Sequence, residues 1–128
     1  MKVLDSDFII AIFRKNPEVQ QKLYELIEGN QKVCTTVLNA QEVLFGTLSN
    51  KRNAQIADEL FRDLVILKYG YEEMHQTLKI IEQLSKTGER IGVFDEMIAG
   101  ICKAHDATLI TRNIKHFERV PKLKVESW

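Results

Sequence analysis

Residues 1–15 read MKVLDSDFIIAIFRK, and the change of period inside this stretch decides the fold. Lys2–Asp5 is a short apolar run of strand type that ends on a carboxylate. From Asp7 to Lys15 the period lengthens, and Phe8, Ile9, Ile12 and Phe13 fall on one side of a helix. A strand that hands over directly to a helix is one half of a β–α unit, and the pattern recurs downstream. Asn16-Pro17 sets an N-cap before a proline at the first helical position, and Gly29 stops that second helix after Glu28. Lys32–Thr36 predicts a second strand, with helices over Val37 to Ser49 and beyond Asn53. Leu64–Lys68 predicts a third strand. Glu72–Lys86 follows as an amphipathic helix with the stripe Met74, Leu78, Ile81 and Leu84, and Gly88 lies past its end. Phe94–His105 is apolar almost all round, as a buried helix is. Thr108–Thr111 predicts a fourth strand, and residues near Val125 an edge strand.

This alternation implies an α/β fold with a central parallel sheet of 4–5 strands flanked by helices, as a single domain over residues 1–128. A 45% hydrophobic and 28% charged composition excludes a disordered chain and supports a core without disulfides or zinc. Lys plus Arg and Asp plus Glu balance at 18 each, which excludes a broadly basic nucleic-acid binder. The charge is uneven, however. Between Arg112 and Lys124 the chain carries Arg112, Lys115, Arg119, Lys122 and Lys124 against Glu118 alone, which makes either a basic patch or a solvated tail. Cys34 and Cys102 sit in apolar runs and read as small buried hydrophobes. With no basic leader and no apolar run near the ~20 residues of a membrane helix, a cytoplasmic protein is expected.

In such folds ligands bind beyond the carboxyl ends of the strands. Asp5 closes the first strand and Asp7 follows it; Glu42 lies in the helix after the second. Asp95, with Glu96, opens the buried helix, and Thr111-Arg112-Asn113 closes the fourth strand. Asp7 and Asp95 also suit plain helix N-caps. Glu42 suits a solvated face made of Asn39, Glu42, Gly46 and Ser49, opposite Val37, Ala40, Leu44 and Leu48. Asp5 is harder to dismiss, because a carboxylate at a central strand end is poorly hydrated and needs a partner. Carboxylates that converge repel one another unless a cation neutralises them, and hard Mg²⁺ or Mn²⁺ prefers oxygen ligands. No His or Cys pair has zinc spacing; His75, His105 and His116 are scattered. Divalent cations among acids suit phosphodiester hydrolysis.

Four segments carry a resemblance. Val3-Leu4-Asp5-Ser6-Asp7, Thr36 through Gly46 with Glu42 inside it, Ile91 through Ala99 with Asp95 inside it, and Thr108 through Asn113 followed by His116-Phe117 resemble, in order and spacing, the motifs of the PIN-domain family. The ending Val125-Glu126-Ser127-Trp128 is similar to its VapC-type toxin branch. The resemblance implies that Asp5, Glu42 and Asp95 hold Mg²⁺ or Mn²⁺. Asn113 stands where many relatives have a fourth acid and would orient a metal-bound water. It also implies an endoribonuclease working through a metal-activated water, inhibition by a small antitoxin of VapB type, and a homodimer, with Asn53 to Lys86 as a candidate interface. RNA-contact candidates are Ser6, Thr111, Arg112, Lys115 and Arg119; the last two share one face if their segment is helical. Rival readings are a haloacid-dehalogenase-like phosphatase using Asp5, a receiver-type signalling domain, and a PIN module that only binds RNA or a partner.

Overall fold

The computed structural model describes residues 1–128. Its strands are β1 (Lys2–Leu4), β2 (Val33–Thr36), β3 (Val65–Leu67), β4 (Thr108–Ile110) and β5 (Lys124–Glu126). Its helices are α1 (Ser6–Phe13), α2 (Pro17–Glu28), α3 (Val37–Phe45), α4 (Lys51–Asp63), α5 (Tyr71–Thr87), α6 (Val93–Ala104) and the single turn α7 (Ile114–Phe117). The five strands form one parallel sheet in the order β3-β2-β1-β4-β5. Expected strands and helices are all present, several of them a residue or two shorter. Asp5 and Thr111 lie just past their strands rather than inside them, and α3 gives way to turns after Phe45.

Alternation along the central strand splits the core in two. Val3 points to the layer of α5 and α6, where it meets Ile80, Leu84, Ile98 and Ile101. Leu4 points the other way, to Phe8, Val19, Val43 and Phe61 beneath α1–α4. Cys34 and Cys102 are buried free thiols, as expected, and burial pushes Cys34 up to about 11. No helix is long and apolar enough to cross a membrane.

The inner face of α5 differs from the expected stripe. It buries Glu73, Thr77, Ile80 and Leu84, and leaves Leu78 53% exposed. The cause lies across the interface at Gly100 of α6. A Cβ there would stand 2.1 Å from Thr77 Oγ1 and 3.0 Å from the Glu73 carbonyl oxygen. The two backbones approach so closely that a small residue fits where a leucine does not. Thr77 brings its own satisfaction, since its hydroxyl donates to the Glu73 carbonyl at 2.9 Å. Gly100→Ala is therefore expected to destabilise the fold by about 3 kcal/mol through overpacking. Adding Thr77→Ala should recover part of the loss, because it removes the closest of the clashing atoms. Thermal unfolding of the two variants checks this, and an unchanged melting point for Gly100→Ala would contradict the packing argument.

Candidate active site

The chain runs outward from β1 through β2 to β3, then crosses back through α5 and α6 to add β4 and β5 on the other side of β1. Strand order thus reverses at β1, and the crevice beyond the carboxyl ends of β1 and β4 is the switch point where α/β folds bind ligands. Asp5 stands at the end of β1 and Thr111 at the end of β4.

Asp5 is 8% exposed. Its Oδ1 accepts from the Ser6 amide and from Asn39 Nδ2, both at 2.8 Å, and its Oδ2 accepts from the Thr111 hydroxyl at 2.6 Å. Burial raises Asp5 from 3.8 to about 6 against the help of Thr111, and the nearby charges of Asp7 and Asp95 push the same way. Asn39 is fully buried. It is held by Thr36, whose hydroxyl donates to Asn39 Oδ1 at 2.7 Å, and its Nδ2 also donates to Ser6 Oγ at 2.9 Å. Ser6 Oγ in turn donates to Glu42 Oε2 at 2.5 Å. One hydrogen-bonded chain therefore ties β2, α3 and α1 to the end of β1, and joins Asp5 to Glu42 through Ser6. Asn39 belongs to this chain and not to the solvated face expected for it. Val37 and Leu48, expected on the apolar face of the same helix, are 41% and 79% exposed.

Asp7 is not the cap of α1; Asp5 occupies that position. Asp7 Oδ2 instead accepts from the Arg112 amide at 2.8 Å and lies 3.3 Å from Thr111 Oγ1. Asp95 is likewise not a cap. The turn into α6 is made at Gly92, whose φ of 101° disfavours any side chain, and Asp95 sits in the first helical turn. Its Oδ2 lies 3.2 Å from His116 Nδ1. Glu96, its neighbour, points into the protein with no exposure and meets Arg90 in a two-pronged pair at 2.7 and 2.8 Å. Asp95 and Glu96 therefore do not form the acid pair a phosphatase needs.

The carboxyl edge thus gathers Asp5, Asp7, Glu42 and Asp95, but no three acid, His or Cys side chains close into a ready cage. Glu42 leans on Ser6, and Asp95 on His116. The side chain of Asn113 caps nothing, while its amide donates to Thr111 Oγ1 at 3.0 Å. Lys115 and Arg119 are exposed, and α7 ends at Phe117, so the two do not share a helical face. Arg112 is not a free cation either. Its guanidinium pairs with Glu18 and lies 3.8 Å from the Trp128 ring centre. His105, at the end of α6, faces Glu73 of α5, and His75 stacks edge-on with Tyr71 within α5, so neither pairs with Asp5, Glu42 or Asp95.

A five-stranded parallel sheet covered on both faces, with carboxylates gathered at its switch point, defines a PIN-like α/β domain. The chain belongs to the PIN domain family, which matches residues 2–123, and to the VapC group within it. Ribonuclease VapC1 of Rickettsia felis is 31% identical, over 96% of this chain and 92% of that protein. The tRNA(fMet)-specific endonuclease VapC of Salmonella typhimurium is 26% identical, over 98% and 96%. The crystal structure of VapBC2 from Rickettsia felis bound to a DNA fragment of its promoter matches with a TM-score of 0.88 and 26% identity, covering 99% of this chain and 98% of that one. Membership of this family removes the phosphatase and receiver readings.

Proposed function

We infer that this chain is a divalent-metal-dependent endoribonuclease that cleaves RNA phosphodiester bonds, and that it is the toxin of a type II toxin–antitoxin pair. The observation that carries the reading is Asp5, a carboxylate buried at the switch point with two other acids near enough to raise its proton affinity. The donor set fits Mg²⁺ or Mn²⁺, because it offers carboxylate oxygens and no thiolate. Asp5, Glu42 and Asp95 would hold the ion. A bound divalent cation neutralises a phosphoryl group and makes water a better nucleophile.

The rest is the work of this chain's residues. Asn39 and Thr111 fix both oxygens of Asp5, and Ser6 fixes Glu42, so the acids are oriented before substrate arrives. Ser6 and Thr111 are themselves buried and act through the acids they orient, so Asn113, exposed beside Thr111, is the rim residue open to an RNA phosphate. The test is cleavage of RNA by the purified protein in Mg²⁺, in EDTA, and in EDTA followed by excess Mg²⁺. Loss in EDTA and full return are expected; equal cleavage in EDTA would refute metal dependence.

The VapBC complexes among the relatives support a small antitoxin of VapB type as partner. The simplest inhibitor places a cationic side chain among the acids, where the cation would sit. A homodimer is proposed as well, since Tyr71 and Leu78 on α5 are 71% and 53% exposed. A cytoplasmic location accords with a substrate of cellular RNA.

A further inference from the structure

We propose that the cavity between α1 and the carboxyl end of β4 is a nucleobase pocket for the RNA, beside the acid centre. The proposal rests on the reading that RNA is the substrate. The cavity has a volume of about 230 Å³ and is lined by Asp7, Ile10, Arg14, Arg112 and Trp128, among others. That is room for one planar base and not for a folded element.

Two side-chain atoms of this chain are buried without a hydrogen-bond partner: Asp7 Oδ1 and Trp128 Nε1. Both residues line this one cavity. One atom accepts and the other donates. A phosphate has no proton for Asp7, and a metal cation offers nothing to an indole N–H. Every RNA base carries both kinds of group on its edges.

Both groups are held in place. The second oxygen of Asp7 is fixed by the Arg112 amide at 2.8 Å. The Trp128 ring is clamped between the edge of Phe8, at 5.3 Å, and the Arg112 guanidinium. The Thr111 hydroxyl lies against Asp7 and also donates to Asp5, so the pocket is one hydroxyl away from the acids. Arg14 supplies the charge a nucleic acid needs. It is exposed, has no carboxylate partner, and lines this cavity and also a second one that contains Glu42. A strand that passes Glu42 and crosses Arg14 brings its next base to Trp128. Arg14, rather than Lys115 or Arg119, is then the phosphate contact beside the site.

Trp128 is the only tryptophan, so its signals report on this pocket alone. The experiment titrates the four ribonucleoside 5′-monophosphates into the protein in EDTA, following indole fluorescence and the Nε1–H resonance. A saturable response that ranks the four bases is expected, with little response to ribose 5-phosphate. Asp7→Asn keeps an oxygen for the Arg112 amide and turns the free acceptor into a donor. It should weaken the preferred nucleotide about tenfold and change the ranking, with a melting point in EDTA no lower than that of the wild type as the control for folding. Arg14→Ala should weaken all four nucleotides alike. No saturable response, an equal response to ribose 5-phosphate, a response to N-methylacetamide alone, or an unchanged ranking in Asp7→Asn would overturn the proposal. Cleavage in Mg²⁺ by the same preparation separates the two readings. Cleavage without a nucleotide response defeats the base pocket and leaves the ribonuclease standing, while the reverse result defeats the ribonuclease.

Discussion

Asp5→Asn is expected to abolish RNA cleavage while making the metal-free protein harder to unfold at pH 7. The two effects have one origin. In the folded protein Asp5 titrates near 6 instead of 3.8, chiefly because it is buried. The native state therefore binds this proton more tightly than the unfolded chain does. Stability from this group is greatest below pH 3.8, falls as pH rises through the interval from 3.8 to about 6, and stays low above it. That interval corresponds to about 3 kcal/mol, lost at neutral pH whenever no cation offsets the charge. An amide carries no charge and avoids this cost. Its hydrogen bonds also survive: the Thr111 hydroxyl can accept from the new amide and turn its own proton to Asp7 Oδ2, 3.3 Å away. Cleavage should fall by about a thousandfold, since a proposed ligand of the cation is gone. Melting curves in EDTA from pH 4 to pH 8 check the other half: the wild type should lose stability relative to Asp5→Asn as pH rises through about 6. Parallel curves would mean that Asp5 is better solvated than its burial implies.

Arg90→Ala is expected to produce the largest loss of stability of any single exposed-side substitution. Glu96 has no solvent exposure, and Arg90 supplies both of its hydrogen bonds. Removing the guanidinium leaves a buried carboxylate with no counter-charge, and it must either stay charged at high cost or take up a proton. A fall in melting temperature of about 10 °C is expected. Cleavage should fall too, since Glu96 adjoins Asp95 and anchors the same turn of α6. Adding Glu96→Met should restore most of the stability, because an apolar side chain of similar length needs no partner. A single variant with wild-type melting would show that the pair is dispensable.

The strands, helices and acids were legible in the sequence because they are written locally. A short apolar run that gives way to a helical period marks each β–α junction, and parallel strands then bring Asp5, Glu42 and Asp95 to one edge. What the sequence concealed depends on distant contacts. Asn39 reads as a polar helix residue, and only the packing of α3 against β1 turns it into the donor that fixes Asp5. His116 reads as one of three scattered histidines until α7 places it against Asp95. Arg90 lies in a short loop, and nothing near it announces the buried Glu96 six residues on. The buried face of α5 departs from the apolar stripe because periodicity gives weight to Leu78 and none to Thr77, whereas the close approach at Gly100 selects for size. Arg112, a free cation by composition, is tied to Glu18 and Trp128 across the fold. Arg14, between the two cavities, had no local signal at all.

The central claim, that Asp5, Glu42 and Asp95 together hold the divalent cation used in RNA cleavage, is tested most directly by Mn²⁺ binding measured by electron paramagnetic resonance. The wild type should bind Mn²⁺ at a saturable site that Mg²⁺ displaces. Asp5→Asn should weaken that site at least about tenfold, and Glu42→Gln and Asp95→Asn should weaken it as well, while Lys115→Ala leaves it untouched. Wild-type Mn²⁺ binding in all three acid variants would contradict the account.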